Sequence, residues 1–235
     1  ILWMDVRAFR QAERIAGCGS EILRYNGHGS VSAEWMPSKA LWIKENEPGL
    51  YERARCVCEF QDWINYRLTG ELTASINNTT VRWYYDPRAG GWPADLYAEI
   101  GLADALEKFP QTILGLGEQV GTPRPELARR FGLAPGTPVV QGGIDAYIAM
   151  LGLSAVRPGR LACITGSSHL LLGHTETDLH SPGIFGAFPD CVVPGLSVVE
   201  GAQASSGSVL KWFKDGFIGR EHEEAARVAG MSLYD

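Results

Sequence analysis

The chain has 235 residues, 45% of them hydrophobic and 20% charged, with a formal net charge of −6. That length supports a sizeable core in one or two domains, and the composition is neither disordered nor fibrous. An acidic balance without a Lys/Arg run excludes the electrostatic footprint of a nucleic-acid or membrane-surface binder.

From the N-terminus, residues 5–16 carry Val6, Phe9 and Ile15 at helical spacing between charges, which predicts an amphipathic helix stopping at Gly17 and Gly19. GHGS at 27–30 predicts a turn, and Pro37 opens a helix that carries Leu41 and Trp42 toward Pro48. Residues 51–69 predict another helix, or a short strand leading into one, closed by Gly70. Trp42 and Trp63 are assigned to the core from their place on these helices. ASINNTTVRWYYD, rich in Ser, Asn and Thr, predicts a polar loop able to face a ligand. Helices are expected at 94–108 and 124–132, and a short strand at 138–141. Small apolar residues at 145–152 predict a buried helix, and VRPGRLACITGSSHLLLGH alternates turn and strand as a hairpin does. A second domain is expected from near residue 153.

Five cysteines, Cys18, Cys56, Cys58, Cys163 and Cys191, are an odd number without C-x-x-C spacing. They argue against a disulfide framework or a zinc ribbon and for reduced thiols in a cytoplasmic protein. No stretch reaches the ~20 apolar residues of a membrane span, and no basic n-region precedes an apolar core, so a soluble protein is expected. The chain opens on ILWMDV without an initiator Met and closes on MSLYD, and is read as a piece of a longer one.

QGGIDAYIAMLG at 141–152 sets the carboxylate of Asp145 after two glycines at the end of a short apolar strand. Such glycines allow a backbone or a ligand to approach closely, and strand ends in open α/β folds face the ligand crevice. Asp is equally a preferred helix N-cap, and the residues alone leave both roles open. ITGSSHL at 164–170 is a small-residue turn whose N–H groups and hydroxyls suit a phosphate, and equally suit a plain hairpin. His28, His169, His174, His180 and His222 lack H-E-x-x-H spacing, and no residue is assigned to a metal. No G-x-S-x-G nucleophile elbow occurs.

Taken in order, these segments resemble the FGGY family of carbohydrate kinases along almost the whole chain. LWMDVRA at 2–8 resembles the family's W-x-D-x-R segment, KALWIKEN at 39–46 its K-x-x-W helix, and INYRLTGE at 64–71 its L-T-G-E turn. PVVQGGIDAYIAMLG at 138–152 resembles the segment of the catalytic aspartate, and ITGSSHL the G-T-S phosphate loop, with Ser167 in place of the usual Thr. EGAQASSGSVLKWF at 200–213, SINN at 75–78 and WYYD at 83–86 are similar to the ribulokinase-like subgroup.

The resemblance implies an α/β, actin/hexokinase-like (ribonuclease H-like) two-domain fold, present in part. Residues 1–152 would be the C-terminal portion of the sugar-binding domain and 153–235 the start of the nucleotide-binding domain, with a cleft near 150–160. It implies ATP-dependent phosphorylation of a sugar hydroxyl, of a pentulose first, with Asp145 as general base. Trp3, Asp5, Arg7, Gly143 and Gln203 would line the sugar site, although Asp5 and Arg7 equally suit a structural ion pair. Gly166, Ser167 and Ser168 would contact the phosphates of ATP, with Mg²⁺ as the accompanying ion. A small-molecule sugar or polyol is the expected partner, and homodimers are common in the family. The alternatives are a kinase for another substrate such as xylulose or erythritol, or a non-catalytic sugar-binding module. The family's first phosphate loop and adenine-binding segments lie outside these residues, so this piece alone is expected to be inactive.

Overall fold

The computed structural model describes residues 1–27, 30–166, 168–203 and 205–234. Asp5 decides where the first helix begins. Its Oδ1 accepts the backbone N–H of Arg7 at 3.0 Å, a local bond that competes with helical pairing. Helix α1 therefore runs Phe9–Ala16 rather than from residue 5, with Gln11, Ala12 and Ile15 buried. A 3-10 turn, Glu21–Asn26, ends on Gly27 in the left-handed conformation at φ 62°. There the backbone of Gly183 and Ile184 approaches so closely that a Cβ on Gly27 would sit 3.0 Å from the Gly183 nitrogen.

Helix α2 (Met36–Asn46) has Pro37 in its first turn, and Pro48 opens the short α3 (Pro48–Arg53). The single element expected at 51–69 is divided: Ala54 turns extended after α3, and α4 (Phe60–Thr69) begins only after six irregular residues. Gly70, at φ 93°, closes α4. This helix turns Asp62 and Asn65 inward, which leaves Trp63 42% exposed and stacked on Phe60 instead of in the core. Trp42 is half-buried, and the core tryptophans are Trp35 and Trp83.

The polar loop expected at 74–86 is instead strand β1 (Thr73–Ser75) followed by helix α5 (Ile76–Arg82). Asn77, Asn78, Thr79 and Thr80 are all buried. Burial is tolerated because the Thr79 and Thr80 hydroxyls donate to the carbonyls of Ser75 and Ile76 one turn earlier, at 3.0 and 2.8 Å. The helix expected at 94–108 splits into α6 (Ala94–Glu99) and a 3-10 turn, Ala103–Lys108, with Gly101 at φ 80° between them.

Strand β2 (Thr112–Leu114) pairs in parallel with β1. Strand β3 (Gln119–Gly121) pairs antiparallel with β4 (Val139–Val140) across α7 (Pro125–Phe131). Helix α8 (Asp145–Gly152) then leads to a four-stranded antiparallel sheet in the order β5-β6-β8-β7. Its strands are β5 (Leu161–Thr165), β6 (His169–Thr175), β7 (Phe185–Pro189) and β8 (Ser197–Gln203). Helices α9 (Gly207–Phe217) and α10 (Arg220–Val228) follow, with no buried residue among those described.

One apolar cluster joins the helices to this sheet: Ile15, Trp35, Trp83, Tyr97 and Met150 share it with Ala162, Leu172, Phe188 and Val198. Among the described residues no helix is long and apolar enough to cross a membrane.

Candidate functional site

The loop between β4 and α8 is held through Gln141, Gly142 and Ile144. Gln141, 1% exposed, accepts on Oε1 from Asn65 Nδ2 at 3.2 Å and from the Thr73 hydroxyl at 3.1 Å. Its Nε2 donates to Asp62 Oδ1 at 3.2 Å. The carbonyl of Gly142 accepts from the Ser75 hydroxyl at 2.6 Å, and the N–H of Ile144 donates to Asn77 Oδ1 at 2.8 Å. Gly143 has no room for a side chain, since a Cβ there would lie 2.7 Å from Asn77 Oδ1 and 2.9 Å from Leu116 Cδ2.

Ile144, extended at φ −62° and ψ 130°, occupies the N-cap position of α8. Asp145 is thus the first residue of the helix, not its N-cap as the capping alternative would have it. Its Oδ1 accepts the N–H of Ala146 at 2.8 Å, and the residue is exposed. A carboxylate with one lone-pair direction so engaged still has acceptor capacity on both oxygens. Asp62, the partner of Gln141, is fully buried and its Oδ2 has no hydrogen-bond partner among the described residues. Burial pushes its carboxyl up to about 7, against the Gln141 hydrogen bond, which acts the other way.

At the β5–β6 turn, Thr165 pairs with His169, and the N–H of Gly166 donates to the carbonyl of Ser168 at 2.9 Å. That amide is occupied within the turn. Ser167 lies outside the described residues. His169 pairs in turn with Gln203 on β8, so Gly166, Ser168 and Gln203 come together at one end of the sheet. Gln203 is exposed, with Nε2 donating to the Ser205 carbonyl at 3.5 Å.

Trp3, Asp5 and Arg7 form a separate group resting on α2. Arg7 grips Asp5 with Nε at 2.9 Å and Nη2 at 2.6 Å from Oδ2, the structural ion pair considered above. The hydrogen bonds from Arg7 hold the Asp5 carboxyl down to about 2. The guanidinium also lies 4.5 Å from the ring centre of Trp42. Lys39, one helical turn before Trp42, donates its ammonium to the carbonyls of Leu2 and Trp3 at 2.8 and 2.9 Å. Trp3 itself is 65% exposed. Beside this group a hollow of about 440 Å³ is lined by Arg7, Phe9, Arg10, Gln11, Trp42, Glu45 and Asn46; Asp145 is not part of it.

The sequence singles out Asp145 and Gly143, and SINN at 75–78 as a segment, but not the hydrogen bonds by which Ser75, Asn77, Gln141 and Asp62 hold the loop. The signal was present in one place: Gln141 is a lone amide between an apolar strand and two glycines.

Residues 1–152 match the FGGY family of carbohydrate kinases, N-terminal domain. The chain is 31% identical over 254 residues to an FGGY carbohydrate kinase domain-containing protein of Xenopus laevis, covering 100% of this chain and 46% of that protein. It is 30% identical over 249 residues to a ribulokinase of Geobacillus thermodenitrificans, covering 99% and 43%. Among solved structures, a xylulose kinase from Rhodospirillum rubrum has a TM-score of 0.79 at 27% identity, over 95% of this chain and 45% of that one. These likenesses and the mixed α/β architecture define an actin/hexokinase-like sugar-kinase fold. The chain belongs to the FGGY family of carbohydrate kinases. It spans about half the length of the curated relatives it matches, 46% and 43% for the two above.

Proposed function

We propose that this protein transfers the γ-phosphoryl group of ATP to a hydroxyl of a pentulose, with Asp145 as general base. The observation that carries the reading is the exposed carboxylate of Asp145 at the start of α8, directly after a loop pinned at Gly142 and Ile144. Ribulose and xylulose, named for two of the relatives, are both pentuloses.

A sugar hydroxyl ionises far above neutral pH, so its proton must leave as its oxygen bonds to phosphorus. Asp145 accepts that proton when its free carboxylate oxygen lies about 2.6–3.2 Å from the hydroxyl. The new O–P bond forms as the bond from the γ-phosphorus to the β-bridging oxygen breaks, and ADP departs. Gly143, whose missing side chain lets the loop sit against Asn77 and Leu116, keeps the backbone before Asp145 close to α5.

Trp3, Asp5, Arg7 and Gln203 are the further proposed sugar contacts. Phosphate contacts come from the β5–β6 turn of Gly166, Ser167 and Ser168. Because the Gly166 N–H is already engaged, the Ser168 hydroxyl is its first candidate donor. Among the described residues no group of three or more His, Cys, Asp or Glu could hold a metal ion. A Mg²⁺ ion would arrive on the nucleotide phosphates and would supply charge neutralisation for the transferred group there. Residues 1–152 would form the sugar-binding side and 153–235 the start of the nucleotide-binding side of a cytoplasmic enzyme, which homodimer formation would suit.

The test is ADP release by the full-length protein with Mg-ATP against ribulose, xylulose, a tetritol and a hexitol. Turnover with a pentulose is expected, and Asp145→Asn should lower kcat by about 10² or more while sugar binding persists. Turnover confined to a polyol would move the assignment to another substrate of the same chemistry. Sugar binding without turnover would make the protein a binding module.

A further inference from the structure

Two buried polar side chains at the β1–α5 junction have no part in the chemistry above, yet both end on the loop that carries Asp145. The Ser75 hydroxyl donates to the Gly142 carbonyl at 2.6 Å, and Asn77 Oδ1 accepts the Ile144 N–H at 2.8 Å. Both residues are 0% exposed. Between these anchors, Gly143 lies so near Asn77 that even a methyl group would overlap Asn77 Oδ1 at 2.7 Å. The loop is thus seated flush on α5, with one bond on each side of the glycine. Asn77 has a second partner: its Nδ2 donates to the Cys191 carbonyl at 2.9 Å, in the turn between β7 and β8. A single amide therefore joins the four-stranded sheet to the residue immediately before Asp145.

We propose that Ser75 and Asn77 are positioning residues for Asp145, setting the direction of its carboxylate. Asn77 in addition ties that direction to the position of the sheet that bears the β5–β6 turn. The inference rests on Asp145 being the base. Its physical content is that a general base works over a few tenths of an ångström, and a misplacement near 1 Å costs about 10²-fold in rate. An Ile144 amide held by a fully buried side chain has little freedom to drift. Neither side chain reaches the substrate under this reading, so removing either should leave sugar affinity alone.

The experiment compares Ser75→Ala, Asn77→Ala, Asn77→Asp, Asp145→Asn and Arg88→Ala in the full-length protein, with kcat and sugar KM measured on the folded fraction. Arg88 is the control: it joins Asp190 at 3.1 Å and Ser197 at 3.0 Å, tying α5's neighbourhood to the same sheet without touching the loop. Asn77→Ala and Ser75→Ala should each lower kcat by about 10-fold or more, with KM within about twofold. Asn77→Asp keeps an acceptor for the Ile144 N–H and loses only the donor to Cys191, so it should retain more of kcat than Asn77→Ala. Should the buried charge prevent Asn77→Asp from folding, Ser75→Ala carries the test, since it removes one neutral hydrogen bond.

If Asp145→Asn abolishes turnover while Ser75→Ala and Asn77→Ala keep normal kcat, the positioning role is overturned and the base stands. If Asp145→Asn turns over normally, the base falls and the positioning role with it. A rise in KM at unchanged kcat, or an equal loss of kcat in Arg88→Ala, also overturns the proposal: the first would make the pair substrate-binding, the second would reduce it to general loosening.

Discussion

Asp62 has its whole side chain out of water, one oxygen bonded to Gln141 and the other without a partner among the described residues. Burial lifts its carboxyl from 3.8 to about 7. A carboxyl whose folded value is raised binds its proton more tightly in the native state than in the unfolded chain. The contribution of Asp62 to stability is therefore most favourable at or below pH ~4, declines as pH climbs toward 7, and carries its full penalty above that. Asp62→Asn, which keeps the oxygen that Gln141 uses, should raise the thermal midpoint at pH 8 by roughly 5 °C or more and by less at pH 5. An equal gain at both values would mean that Asp62 does not titrate in this window. The residue was illegible in the sequence for a physical reason. In FQDWINYRLT an acidic residue among apolar ones looks like the wet side of an amphipathic helix, and only the packing of α4 on β1 turns it inward. Asp145 stood out in the sequence, as the residue proposed for the base, because it follows two glycines at the end of an apolar strand.

At the scale of elements, Lys39 and Trp42 show how α2 serves the segment before α1. Three residues apart on one helical face, they receive the carbonyls of Leu2 and Trp3 and the guanidinium of Arg7. Partial burial also draws the Lys39 ammonium below its ordinary value. Lys39→Met should raise amide exchange in residues 2–7 about tenfold, the equivalent of roughly 1.4 kcal/mol for its charge-assisted bonds. Exchange unchanged from wild type would show the segment to be held by other means. The elements that the sequence revealed, α2, α7, α8 and the β5–β6 hairpin, are those bounded by Pro or Gly with an apolar face between. Strands β1 and β2 were missed because three residues each carry too little alternation to register. Helix α5 was missed because Thr79 and Thr80 bond back to the preceding turn and Asn77 bonds to the distant Ile144 and Cys191, partners that composition cannot reveal.

Across the whole molecule the balance of exposed apolar surface is uneven. Helix α9 leaves Leu210, Trp212, Phe213 and Phe217 between 51% and 63% exposed, with Phe217 packed on both aromatic neighbours. Contiguous rings of this kind bind apolar probes. The 235-residue chain should therefore enhance the fluorescence of a hydrophobic dye, and Trp212→Ser with Phe213→Ser should remove most of that signal. Dye binding that survives the double substitution would locate the apolar surface elsewhere. The overall class was readable from ordered short motifs, whereas the shared core was not, since it depends on contacts between residues more than a hundred positions apart.

Phe188 sits 6.1 Å from Tyr25 and 6.5 Å from Trp35, ring centre to ring centre, and Phe185 lies 6.3 Å from Trp35. Separating these rings would wet four large side chains at once, so the antiparallel sheet cannot drift away from the helices along this edge. A displacement of the sheet that kept these rings together would leave the aromatic contact as its fulcrum, with displacement growing along the lever arm away from it.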